Sequence, residues 1–180
     1  MSEITIILPE GEAKGFGGDA SVADALAELL SNKQRKQTVA VGVGDTLVDL
    51  STRLDSLGQE KIELRPVLIS SAEGLDILRH STAHLMAKAV LDLYGPKVKV
   101  AIGPAIEDGF YYDFERETPF TPEDFESIEA KMQETVKGGV PFTRNVFSKA
   151  EAIALFEEKG EQYMVELLHE LEGDTVSLYA

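Results

Sequence analysis

The chain has no cysteine and no tryptophan among its 180 residues. Without thiols there is no disulfide, no thiolate nucleophile and no cysteine-ligated metal. Long apolar runs are missing as well. None approaches the ~20 residues of a membrane span, so no membrane is expected as a partner. The start of the chain is polar and strand-like, unlike a charged-then-apolar leader, and nothing else in it is an address. The expected location is therefore cytoplasmic. Cations are scarce: 17 Lys and Arg face 32 Asp and Glu, for a net charge of −15. Non-specific nucleic-acid binding works by neutralising phosphates with Lys and Arg. A chain this acidic is a poor autonomous binder of RNA, and no DNA partner is expected. The one small basic cluster, Lys33, Arg35 and Lys36, reads as a solvated helix end, where cations are favoured.

Histidine is also rare, at three residues, and two of them stand four apart in His80-Ser81-Thr82-Ala83-His84. Around them Leu75, Leu78, Ala83, Leu85, Ala89 and Val90 keep helical spacing with no Pro or Gly between. On a helix, positions i and i+4 lie one above the other on one face. Two imidazoles so placed can converge on one substrate or one metal ion; the plainer alternative is a pair that merely packs. The third histidine, His169, sits in an acidic helical context and reads as a surface residue. Asp108-Gly109 reads as a turn. The glycines at 11, 15, 17 and 18 match neither phosphate-loop nor dinucleotide fingerprints and also read as turns.

The pattern along the chain predicts an α+β protein in two parts. Residues 3–8 form a β-branched strand followed by the turn Pro9-Glu10-Gly11-Glu12, and residues 13–16 complete a hairpin. Ser21 is an N-cap with Asp24 in the first helical turn, and Val22, Ala25, Leu26, Leu29 and Leu30 make the buried stripe. Strands follow at 39–43, 46–50 and 62–67. Strands around one helix in residues 1–66 predict a β-grasp, ubiquitin-like module. Residues 67–74 read as a linker. The second part, 75–180, opens with the histidine helix at 75–93. It continues with strands at 98–102 and 110–114 and a helix from Thr121-Pro122 striped by Phe125, Ile128, Met132 and Val136. A strand at 141–147, a helix capped by Ser148 and Glu151, a short helix at 164–171 and a strand at 175–179 complete it. That last strand meets the end of the chain without a polar tail, as an interrupted domain would.

Several segments together resemble threonyl-tRNA synthetases. They are Leu78-Arg79-His80-Ser81-Thr82-Ala83-His84-Leu85, then Ala101-Ile102-Gly103-Pro104, then Asp108-Gly109-Phe110-Tyr111-Tyr112-Asp113, then Gly160-Glu161-Gln162-Tyr163. Their order and spacing match the N-terminal part of that family over residues 74–165, and residues 1–66 resemble its TGS module. The resemblance implies a TGS β-grasp domain followed by an editing-type domain that hydrolyses serine wrongly attached to threonine tRNA. The implied partners are tRNA(Thr) and the remaining synthetase domains. The chemical need is plain. A site built for threonine cannot strongly reject serine, because one methyl is worth only ~1–3 kcal/mol of discrimination. Carried over by position, His80 and His84 line the editing pocket and Tyr112 faces it. Related editing proteins hold zinc between H-x-x-x-H and an opposing C-x-x-x-H, so His80 and His84 are candidate ligands of an incomplete zinc site. Two departures stand out. Met164 occupies a position where the family often has lysine, and no cysteine supplies the opposing half. As given, the chain is expected to bind zinc weakly and to hydrolyse poorly. The alternative is a free-standing TGS-containing module that binds without chemistry.

Overall fold

The structure is a computed structural model that describes residues 3–9, 11, 13–101, 103–139 and 143–179. Glu10, Glu12, Ile102, Pro141 and Phe142, which fall in predicted turns and strands, lie outside the described residues. The secondary structure is mixed α+β, and residue contacts divide the chain into Met1–Leu78 and Arg79–Ala180.

In the first unit, β1 (Glu3–Ile7) buries Ile4 and Ile6 with the period of two that a pleated strand imposes. It pairs antiparallel with β2 (Ala13–Gly17), Glu3 opposite Gly17 and Ile7 opposite Ala13. Ser21 then caps α1 (Val22–Leu29): the Asp24 N–H donates to Ser21 Oγ at 3.1 Å, and Asp24 Oδ2 accepts from the Ser21 N–H at 2.9 Å. The face so fixed buries Val22, Ala25 and Leu26. The short α2 (Asn32–Gln37), which carries Lys33, Arg35 and Lys36, buries nothing.

β3 (Thr38–Val43), β4 (Thr46–Val48), β5 (Lys61–Glu63) and β6 (Arg65–Leu68) complete the sheets. The strand orders are β2-β1-β5 and β4-β3-β6. β1 and β5 are parallel, whereas β3 is antiparallel to both neighbours. Only Leu64 separates β5 from β6, and it is fully buried. Inward residues of both sheets meet α1 in one cluster that includes Ile4, Ile6, Leu26, Val41, Leu54 and Ile62. Each such fully buried aliphatic side chain contributes about 1.5–3 kcal/mol relative to exposure. The bidentate Arg65–Glu73 pair, at 2.7 and 3.0 Å, is half exposed, and such pairs are worth at most about 1 kcal/mol.

The helix predicted at 75–93 is α3 (Ala72–Tyr94). It starts three residues earlier because Ser71 Oγ accepts from the Gly74 N–H at 3.1 Å, a capping contact that periodicity does not register. Gly95 stops it by taking a left-handed φ of 56°. Ala83, Ala87, Ala89 and Val90 are buried along it, while Leu75 and Leu78 of the predicted stripe are exposed.

In the second unit, β7 (Val98–Val100) pairs with β10 (Phe114–Arg116), and β8 (Ala105–Ile106) with β9 (Gly109–Phe110). The continuous strand predicted at 110–114 is therefore interrupted. Its two ends pair with different strands, and the intervening Asp113 carbonyl accepts from the Ala101 N–H at 3.0 Å. α4 (Pro122–Lys137) follows. Of its predicted stripe, Ile128 is buried, Met132 is half-buried, and Phe125 and Val136 are exposed. β11 (Arg144–Ser148) pairs antiparallel with β12 (Thr175–Tyr179) around α5 (Lys149–Glu158) and α6 (Gln162–Glu170). Ala89, Val90, Val98 and Ile128 form a core, ringed by Met86, Tyr94, Phe114, Phe120 and Met132.

Asp124 ties the start of α4 to this ring. It accepts from the Thr121 N–H at 2.8 Å, the Tyr94 hydroxyl at 2.6 Å and the Arg116 guanidinium at 3.2 Å. The Arg116 guanidinium lies 4.3 Å from the Tyr94 ring centre and 4.8 Å from that of Phe120, a cation–π geometry. These donors, Tyr94 foremost, hold the Asp124 carboxyl below the usual carboxylate range. Among the described residues no helix is long and apolar enough to cross a membrane.

Candidate functional site

His80 and His84 stand one turn apart on α3, and their Nε2 atoms are 3.0 Å apart with the rings edge to face. The spacing alone predicts a shared face; the rotamers bring the two nitrogens into hydrogen-bond distance. At that separation one Nε2 donates and the other accepts, so at least one ring is neutral. His80 is exposed and His84 half-buried. Burial pushes the His84 imidazole below its ordinary value, and the neighbouring His80 adds to this. A neutral imidazole with a free lone pair can take a proton from water near pH 7.

As a zinc site the donor set is short. Two imidazole nitrogens can share an ion, but zinc takes three or four protein ligands. Among the described residues no group of three or more His, Cys, Asp or Glu is placed to hold a metal. Among the described residues the donor set does not fit a zinc centre.

Tyr112 lies in the segment between β9 and β10. It is half-buried, whereas its neighbour Tyr111 is exposed. Its ring stacks on Phe114 at 5.1 Å. Gly103 permits this placement, because a Cβ there would fall 2.0 Å from the Tyr112 ring. Tyr112 lines a cavity of about 410 Å³ together with Met86, Val90, Phe110, Phe125 and Ile128, among others. Burial pushes the Tyr112 phenol above the ordinary tyrosine value, and the Glu161 carboxylate pushes it further. The phenol is thus a neutral O–H donor at physiological pH.

The structure brings His80 and His84 together. It places Tyr112 in the same unit, on a cavity that Met86 and Val90 of α3 also line and that neither histidine lines. His169 is exposed on α6, and Asp108 lies in the β8–β9 turn. The residue that sequence reasoning passed over is Glu161. It belongs to the Gly160-Glu161-Gln162-Tyr163 segment, whose spacing assigns its carboxylate no role. Its Oε2 is buried without a hydrogen-bond partner among the described residues.

No family model matches the chain. Curated proteins named threonine–tRNA ligase are similar to it along most of its length. That of Maridesulfovibrio salexigens is 51% identical over 160 residues, which is 89% of this chain and 24% of the relative. That of Syntrophotalea carbinolica is 47% identical over 180 residues, 99% of this chain and 27% of the relative. That of Pelobacter propionicus is 44% identical over 180 residues, 100% and 27% respectively. The chain spans about a quarter of the length of the curated relatives it matches.

Proposed function

We propose that this chain is the TGS and editing region from the N-terminal part of a threonyl-tRNA synthetase, acting in the cytoplasm on tRNA(Thr) beside the remaining synthetase domains. Residues 1–66 are the TGS domain, 67–74 the linker and 75–180 the editing-type domain. The strand orders β2-β1-β5 and β4-β3-β6, with β5 running almost directly into β6, support a β-grasp arrangement for the first. The observation that carries the functional reading is the His80–His84 contact at 3.0 Å, in a segment similar to those ligases.

The chemistry is hydrolysis of the ester in Ser-tRNA(Thr). A water held by the neutral imidazole pair attacks the ester carbonyl as His80 or His84 takes its proton. The bond to the ribose oxygen breaks, and the imidazolium returns the proton to that oxygen. Tyr112, kept neutral, donates to the oxygen on which negative charge develops. The carboxylic acid so formed gives its proton to solvent, and serine and tRNA leave.

The test is spectroscopic. The non-hydrolysable 3′-(L-serylamino)-3′-deoxyadenosine, added to the purified chain, should shift the imidazole signals of both His80 and His84 and ring signals of Tyr112. Unmoved histidine signals at saturating analogue would sink the reading. Deacylation of Ser-tRNA(Thr) by the chain should be slow, since no cysteine-bearing wall faces the histidines. The second reading, a TGS-containing binding module without chemistry, draws on α2, which displays three cations and buries nothing. It predicts tRNA binding that survives His80→Ala with no deacylation in either form.

A further inference from the structure

Acids outnumber bases in this chain by 32 to 17, yet one cavity of the second unit reverses that balance. It measures about 790 Å³ and lies where the end of α3 meets β7 and β10. Lys97, Lys99 and Arg116 line it against Glu115 and Glu117, with Tyr94 as an aromatic wall. Val98, between the two lysines, is buried while both of them are exposed, so the lysines share the outer side. Neither is spent on the fold. Lys97 makes no hydrogen bond or ion pair among the described residues. Lys99 meets Glu115 only at 3.8 Å with both side chains about half exposed, a weak and solvated pair. Arg116 is held firmly: its guanidinium rests on the Tyr94 and Phe120 rings, and Nη1 donates to Asp124. Nε and Nη2 donate to nothing among the described residues and stay open to water. A fixed guanidinium with unspent N–H groups suits the paired oxygens of a phosphate.

We propose that this cavity is a cleft for the phosphodiester backbone of an RNA strand, with Arg116 supplying a planar fork and Lys97 and Lys99 two point charges. The inference rests on the editing reading and adds to it a place, apart from the histidines, where the RNA is held. Charge chooses the diester over a free polyphosphate. Glu115 and Glu117 leave the lining only a small positive excess, which matches one negative charge per diester group and repels a ligand that concentrates three or four. Position agrees. Tyr94 lies ten residues beyond His84 on α3, about 15 Å along the helix axis. An RNA whose aminoacyl end is at the histidines therefore brings backbone to this cleft, not its terminal group. Contacts of this kind fix the register of a strand and read no sequence. The acidic remainder of the chain repels RNA, so the cleft shows itself in the salt dependence of binding more than in raw affinity.

The test uses the full 180-residue chain and a fluorescein-labelled single-stranded RNA with the 3′ sequence of tRNA(Thr), followed by anisotropy as salt is raised. Each lysine–phosphate contact steepens the fall of log K with log salt by about 0.7 for a single strand. Lys97→Ala combined with Lys99→Ala should therefore flatten the slope by about 1.4. Raising salt from about 50 to about 200 mM then costs the double variant roughly sevenfold less affinity than it costs the unaltered chain. Both side chains are exposed, so the variant keeps the fold. Lys159→Ala removes a charge at the end of α5, outside the cavity, and should leave the slope as it was. An unchanged slope in the double variant, a comparable flattening by Lys159→Ala, or no RNA binding at the lower salt overturns the cleft. Displacement of the RNA by ATP at matched phosphate concentration overturns it too. The editing reading is judged apart, on the histidine signals with 3′-(L-serylamino)-3′-deoxyadenosine. Shifted signals with an unchanged slope overturn the cleft alone. Unmoved signals with a flattened slope overturn the editing reading and leave the cleft as an RNA contact; unmoved signals with an unchanged slope overturn both.

Discussion

The two units of this chain spend their apolar residues differently. In the first, aliphatic side chains from β1, β3, β5 and α1 close on one another, and Ile6, Leu54, Ile62 and Leu64 are wholly shielded. In the second, the described core is a small cluster of Ala89, Val90, Val98 and Ile128, bordered by half-buried aromatics and a cavity of about 410 Å³. Large side chains such as Phe125 and Val136 stay exposed, at 57% and 64%. The difference follows from shape. Slim aliphatic residues at period two fill the space under a sheet to native density. Flat rings packed edge to face leave gaps that a ligand can enter. The tight unit is thus suited to be a scaffold. The looser one carries the histidine pair, Tyr112 and a buried carboxylate oxygen, Glu161 Oε2, that has no partner among the described residues.

This contrast can be broken by mutation. The largest effect is expected in the first unit. Leu54→Ala removes a side chain with no exposed surface and should cost roughly 2–5 kcal/mol. Ile128→Ala in the second unit should fall at the lower end of that range, near 2 kcal/mol, because Ile128 already borders a cavity. Paired urea melts would measure both, and a larger loss at Ile128 would overturn the comparison.

The second effect is intermediate and local. Gly103→Ala puts a Cβ 2.0 Å from the Tyr112 ring, so the ring must move. Overpacking of this kind costs about 1–3 kcal/mol. The expected signature is a modest drop in melting temperature with a large change in the Tyr112 ring signals. An unchanged Tyr112 spectrum would mean that the aromatic cluster has room for the added methyl and would contradict this packing.

The smallest effect concerns protons. His84 should titrate below the ordinary imidazole value of 6.5, burial being the larger cause and His80 the smaller. His80→Ala should therefore raise its midpoint only part of the way. The sign for stability follows from linkage. A depressed folded value means that the folded state binds fewer protons between that value and about 6.5, so stability is full above this range and falls as pH drops through it. An NMR titration of His84 together with melts across that window would check both, and a midpoint above 6.5 would contradict the placement of the ring.

Much of this was legible locally. The helix around His80 and His84 follows from apolar spacing, and the cap at Ser21 from a Ser with an acid three residues on. Both depend on neighbours within one turn. What went astray has a tertiary cause in each case. The strand expected at 110–114 is broken because its ends pair with different partners. The stripe of α4 is half exposed because among the described residues nothing covers Phe125 and Val136.

The sequence by itself determined the alternation of strands and helices, their caps, and the meeting of two imidazoles on one helical face, because these depend on periodicity and short-range hydrogen bonds. Only the tertiary structure decided that β5 lies parallel to β1 after more than fifty intervening residues, and that the Tyr112 ring rests on Gly103. It alone decided that Glu161 Oε2 is shielded from water with no hydrogen-bond partner among the described residues. Such outcomes depend on which distant groups share a volume from which water is excluded, and no window along the chain contains that.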